Sequence, residues 1–172
     1  MIVEKLQNGS KIVEVGSWLG QSSSYMGVEI YNSNKNISFN CVDTWNGSNE
    51  HQEQLSGKSQ DYLYNKFLRN IHPIRNIITP IRLSSVDASK KFKNNSLDFV
   101  FIDADHSYES VKTDIISWLP KLKSDGIISG HDYYDNDSDG WPGIKKAVDE
   151  ILKDVNFYSG SVWCKYLKIT KG

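Results

Sequence analysis

Long apolar runs are missing from this chain, and because Glu4 and Lys5 follow Met1 almost at once, no signal sequence is expected. A bilayer-spanning helix needs about 20 consecutive apolar residues, so the sequence predicts a cytoplasmic protein with no membrane partner. An excess of one charge is also lacking. Lys and Arg number 20 against 21 Asp and Glu, a formal net charge of −1, which leaves no basic field for nucleic acid. Cysteine is nearly absent: Cys41 and Cys164 sit in apolar runs without metal-ligand spacing, which predicts two small core residues, not a disulfide or a zinc site. Proline is down to four residues and no linker or repeat interrupts the chain, so one domain is expected over residues 1–172. The Gly-x-Gly-x-x-Gly fingerprint of dinucleotide folds is absent as well. Gly16 and Gly20 are spaced Gly-x-x-x-Gly, which argues against a nicotinamide cofactor.

What is present alternates between two periods. Strands are expected over residues 11–15, 37–42, 77–83, 97–103 and 126–130, and helices over 22–31, 59–71, 86–92, 108–119 and 142–152. A closing hairpin follows from residues 157–159 and 162–169. Strand and helix in strict succession imply an α/β fold with a doubly wound, mostly parallel sheet. Such sheets bind ligands at the carboxyl ends of their strands. Two of these strands run out into acids and histidines. Phe101 to Glu109 reads FIDADHSYE and Ser129 to Tyr133 reads SGHDY, so Asp103, His106, His131 and Asp132 should converge at that edge.

Other positions have two readings each. The turn EVGSWLGQS, Glu14 to Ser22, presents backbone amides and a helix N-terminus to a ligand, or holds packing glycines. Asp43 ends the second strand about twenty residues on, where an acid commonly takes a ribose hydroxyl pair, or acts as a loop acid. Ser84 and Ser85 reach an adenine edge or cap the next helix. Asp105 reads as a cap. Residues 44–58 make a polar stretch long enough for a lid. Asp135, Asp137 and Asp139 with Gly140 copy the opening of a calcium loop, but Lys146 stands where that loop needs a bidentate Glu. A flexible acidic loop, with Tyr133, Tyr134 and Trp141 available to stack on an acceptor, is the preferred reading.

Taken together, EVGSWLGQS, Asp43, FIDADHSYE and the GHDY strand followed by WPGIKKAVDEIL resemble class I S-adenosylmethionine-dependent methyltransferases. The likeness is nearest to the small bacterial group with macrolide-sugar O-methyltransferases and more distant to catechol O-methyltransferase, and it runs from Lys11 onward. It implies a seven-stranded Rossmann-like methyltransferase fold and S-adenosylmethionine as methyl donor. By the same resemblance Gly16, Ser17, Trp18, Gly20 and Ser22 hold the donor's methionine end, with Glu14 beneath. Asp43 takes the ribose, Thr44 or Trp45 flanks the adenine, and Ser84 or Ser85 reaches its edge. Asp103 is placed as a donor-side, catalytic and metal-binding residue, His106 as the base, and His131 with Asp132 as the remaining ligands of Mg2+ or another divalent cation. Relatives carry a carboxylate where this chain has His131, which favours a softer ion or a metal-free variant. The acceptor implied is a hydroxyl of a small molecule, a sugar or glycan unit. The N-terminal segment is shorter than the family's, and a homodimer would complete the cover over the site. An N- or protein-directed methyltransferase, or a donor-binding domain without catalysis, are the alternatives.

The chemistry asks for these residue types. An alcohol becomes a nucleophile only when its proton is removed or its developing charge is stabilised, by a base with a pKa near working pH or by a cation. An unperturbed imidazole titrates near about 6.5, which suits His106. Asp103 and Asp132 would supply the cation site.

Overall fold

The computed structural model describes residues 2–47, 55–134, 141–158 and 160–167. A short helix α1 (Ile2–Lys5) precedes β1 (Lys11–Val15), after which come α2 (Gln21–Ser33) and β2 (Ser38–Asp43). Helix α3 (Tyr62–Asn70), β3 (Ile78–Arg82), α4 (Ser85–Ser89), β4 (Leu97–Ile102), α5 (Tyr108–Trp118) and β5 (Leu122–Gly130) continue the alternation. Helix α6 (Pro142–Leu152) then leads into the hairpin of β6 (Asn156–Tyr158) and β7 (Val162–Tyr166).

All seven strands lie in one sheet, in the order β3-β2-β1-β4-β5-β7-β6. Strands β1 to β5 pair in parallel, and β7 joins β5 and β6 antiparallel. Because neighbouring side chains on a strand point to opposite faces, one run of apolar residues serves two cores. Val13, Val100 and Ile128 pack with Ile115 and Trp118 of α5 and Val148 of α6. Ile12, Phe39, Cys41 and Phe99 pack on the other face with Ile30 of α2 and Phe67 of α3. Burial on both faces is why these strands read as near-continuous apolar runs. The expected α/β, doubly wound, Rossmann-like sheet of seven strands with an antiparallel closing hairpin is what forms.

Local chemistry sets the element ends. Pro142 opens α6, where its missing N–H costs nothing. The Ser107 hydroxyl accepts from the Ser110 N–H and caps α5. Several boundaries differ from the sequence reading, most of them by one or two residues. Helix α3 starts at Tyr62, three residues late, with Asp61 as its N-cap. Helix α4 stops at Ser89. Strand β5 reaches back to Leu122 through Lys123, Ser124 and Asp125, whose polarity hid it. Cys41 and Cys164 are buried free thiols, and burial pushes Cys41 well up from its ordinary pKa. No described helix is long and apolar enough to cross a membrane. The calcium-like pattern at residues 135–140 and the middle of the expected lid, residues 48–54, lie outside the described residues.

Candidate active site

The ladder runs one residue past the ends of three strands. The Gly16 N–H donates to Val42 O at 2.8 Å, Asp103 N–H to Val15 O at 2.8 Å, and His131 N–H to Ile102 O at 3.2 Å. Gly16, Asp103 and His131 therefore stand side by side at the carboxyl edge. Gly16 has φ +89°, and a Cβ there would sit 2.1 Å from the Asp103 carbonyl oxygen. Only glycine lets the β1 turn lie against the end of β4.

Four side chains meet on this edge. Asp132 bridges two imidazoles, with Oδ2 at 3.2 Å from His106 Nε2 and Oδ1 at 3.0 Å from His131 Nδ1. His131 Nδ1 also lies 3.9 Å from Asp103 Oδ1, and its Nε2 is 3.2 Å from Ser161 Oγ. Hydrogen bonds from His106 and then His131 hold the Asp132 carboxyl far below its usual range. The bond to Asp132 raises His131 in turn. Burial pushes Asp103 up to about 6 against the pull of His131. The Trp141 ring stacks on His106 with centroids 4.6 Å apart and planes 14° apart. Gly143 permits this: a Cβ there would come within 2.6 Å of the Tyr108 nitrogen and 3.0 Å of His106 O.

A cavity of about 1090 Å³ opens beside the cluster, lined by Glu14, Gly16, Ser17, Asp43, Asp103 and His131 among others. This exceeds the ordinary range of about 300–1,000 Å³ for small-molecule pockets, so it has room for a donor and an acceptor together. Glu14 is buried in its wall and accepts from Ser17 Oγ at 2.7 Å and from Ser23 Oγ. Burial lifts its pKa and the seryl hydrogen bonds pull it back. Asp43 accepts the Trp18 N–H at 2.8 Å on one oxygen and the Trp45 N–H at 2.7 Å on the other, which fixes its orientation and leaves lone pairs on both oxygens for a diol. Trp18, Ser22, Thr44 and Ser85 also line the cavity.

Four expected residues are not on its wall. Trp45 turns its indole into the core against Tyr64 and Phe67, with Nε1–H donating to Trp18 O at 2.8 Å, so of Thr44 and Trp45 only Thr44 lines the cavity. Gly20 faces α3: a Cβ on it would meet Phe67 at 2.9 Å. Ser84 caps α4 by accepting the Asp87 N–H, and the Ser85 hydroxyl accepts Trp118 Nε1–H at 2.9 Å. Asp132 stands behind the row, in contact with the two histidines. Tyr133 is buried and donates to Asp149 at 2.7 Å, which leaves Trp141 and Tyr134 of the three expected stacking residues. Asp105 accepts the Ser107 N–H at 2.8 Å, as a cap does, and lines the cavity as well.

Asp103, His131 and Asp132 offer one ligand atom each within 4.8 Å of one another. Two carboxylates and an imidazole fit a manganese- or zinc-like ion better than magnesium, which prefers all-oxygen sites. Sequence reasoning missed the apolar wall of Tyr25, Met26, Val28, Phe99 and Phe101. Its signal lies in β4, where alternate residues face the α2 side. The left-handed φ of Trp18 (45°) and Asp132 (58°) had no local signal, because neither residue type demands it.

Residues 13–133 match the family described as a methyltransferase domain. A curated relative, the uncharacterized protein y4gI of Sinorhizobium fredii, is 25% identical over 92 residues, which is 54% of this chain and 10% of that protein. The chain thus spans only a small part of that relative's length. Among solved structures, the O-methyltransferase NovP aligns with a TM-score of 0.67 at 17% identity, over 97% of this chain and 75% of that one. A TDP-rhamnose 3′-O-methyltransferase of calicheamicin biosynthesis gives 0.63 at 15% identity, over 95% and 73%. At these identities the likeness is one of fold.

Proposed function

The chain belongs to the methyltransferase-domain family and has the class I S-adenosylmethionine-dependent fold, and from that premise we propose that it methylates a hydroxyl of a small acceptor, a sugar or glycan unit. One observation carries the reading: His106 and His131, joined through Asp132, and Asp103 beside His131 line a cavity that runs unbroken to Gly16 and Asp43. The printed names of two fold neighbours, an O-methyltransferase and a sugar O-methyltransferase, are consistent with it.

Bound S-adenosylmethionine supplies a methyl group on a positively charged sulfur. The chain's task is to bring the acceptor oxygen into line with that methyl and to keep water out. The amides of the Gly16 to Trp18 turn and the start of α2 suit the donor's carboxylate, Glu14 its ammonium, and Asp43 its ribose. His106 takes the hydroxyl proton. Donation of Nε2–H to Asp132 assigns the basic lone pair to Nδ1, and the Asp132 carboxylate stabilises the imidazolium once the proton has arrived. Asp103, His131 and Asp132 would hold a divalent cation, whose contribution would be to stabilise charge on the acceptor oxygen.

Calorimetric titration with S-adenosylhomocysteine tests the reading: saturable binding is expected, and none up to millimolar concentration removes it. His106→Ala should lower kcat by about 100-fold or more and leave S-adenosylhomocysteine affinity nearly unchanged. Equal losses in both would make His106 structural.

A further inference from the structure

Resting on that reading, we propose that the acceptor is a phosphate-free sugar, a glycoside or glycan end already released from its nucleotide carrier, and not a nucleotide-activated sugar. The charge on the cavity wall carries this. Glu14, Asp43, Asp103 and Asp105 line it with His106 and His131, and among the described residues no lysine or arginine does. Outside the described residues, the sequence of 48–54 holds two glutamates, His51 and no Lys or Arg, and that of 135–140 three aspartates and no Lys or Arg. Arg82, at the end of β3, donates to Asp61 at 2.6 Å and to Thr44 O at 3.4 Å, and lies over the Tyr64 ring. It is matched already.

Recognition of a diphosphate relies on Arg, Lys or a metal clamp. Here such a group would meet carboxylates on the walls it approaches. The element that does favour an anion is the N-terminus of α2, whose first turn holds no acid, and it stands beside Gly16 and Ser17, where the donor's own carboxylate belongs. A divalent cation on Asp103, His131 and Asp132 would be balanced by the carboxylates holding it, and with Glu14 and Asp43 engaged by the donor, Asp105 remains as a further acid on the wall with no Lys or Arg among the described lining residues to offset a diphosphate. A neutral sugar suits the same walls. Acidic side chains accept from its hydroxyls, and the half-exposed Trp141 ring beside His106 offers an apolar face for its C–H groups.

The bond changes are those of methyl transfer. The acceptor oxygen forms a bond to the methyl carbon as the carbon–sulfur bond breaks, its proton passes to His106, and S-adenosylhomocysteine remains as the neutral thioether. Transfer of the sugar from a nucleoside diphosphate to an acceptor is therefore the class of reaction that supplies this substrate, and methylation follows it.

The full chain, loaded with S-adenosylhomocysteine at physiological salt, would be titrated with pyrophosphate, UDP and TDP, with and without manganese. No saturable heat up to millimolar is expected. In a matched panel with S-adenosylmethionine, methyl glycosides and oligosaccharides should exceed the corresponding nucleotide sugars in kcat/KM by at least about tenfold. Saturable diphosphate binding, or a nucleotide sugar as the better acceptor, overturns the proposal. Absence of diphosphate binding supports it even where no sugar in the panel turns over. Failure of S-adenosylhomocysteine to bind strikes the methyltransferase reading instead, and is seen before any diphosphate is added.

Discussion

Gly16 joins the donor cradle to the catalytic edge, since its missing side chain is the space in which the Asp103 carbonyl lies. A Gly16→Ala chain must strain a left-handed residue and push β1 from β4. For a domain of this size, with about 2–4 °C of Tm per kcal/mol, the melting temperature should fall by roughly 5–10 °C, with loss of S-adenosylhomocysteine binding. Unchanged melting and affinity would contradict the contact. Asp114 is the second telling residue. It is buried on α5 and its carboxyl is pushed up from 3.8 to about 6, chiefly by burial, with Ser85 as hydrogen-bond partner. The folded chain therefore holds this proton more tightly than the unfolded one. The stability it contributes is fully present below pH 3.8 and is lost as pH rises through about 6. Asp114→Asn should stabilise the protein at pH 7.5, by up to about 3 kcal/mol, and the gain should shrink towards zero near pH 4. Urea unfolding at the two pH values decides this. Glycine and aspartate can be read from the sequence at both positions, but the neighbour that gives each its meaning lies far away in the chain.

At the scale of elements, the start of α6 is what holds His106. Pro142 and the helix bounds follow from local sequence, and the sequence reading placed α6 over the residues it occupies. That Gly143 abuts the backbone of residues 106–108 and swings Trp141 over the imidazole depends on how α5 and α6 pack. Trp141→Ala should lower kcat by about 2–10-fold, the worth of a stacked ring pair, with S-adenosylhomocysteine affinity unchanged. Trp141→Phe should recover most of it. If both variants lose equally, the stack does not orient the base. Helix α2 shows the reverse case. Its N-terminal glycine was expected to face a ligand, yet Gly20 is needed against Phe67 of α3, so helix-to-helix packing explains that residue.

Across the whole molecule, the sheet separates two cores and opens its carboxyl edge into one large cavity, so ligand and fold should be thermodynamically coupled. S-adenosylhomocysteine at about 100 times its Kd should add roughly 3 kcal/mol of stability and raise Tm by roughly 5–10 °C. A scan with and without it checks this, and no shift would mean that the cavity does not take the donor. The alternation of strand and helix, the chemistry gathered after β4 and β5 and the near-zero net charge were set by the sequence alone, because each is a property of neighbouring residues and their periodicity. Only the tertiary structure decided that Thr44 and Ser85 face the cavity while Trp45 and Ser84 do not, and that Asp132 sits behind His106 and His131 and joins them. Those outcomes depend on strand ends brought level by parallel pairing, and on contacts between segments far apart along the chain.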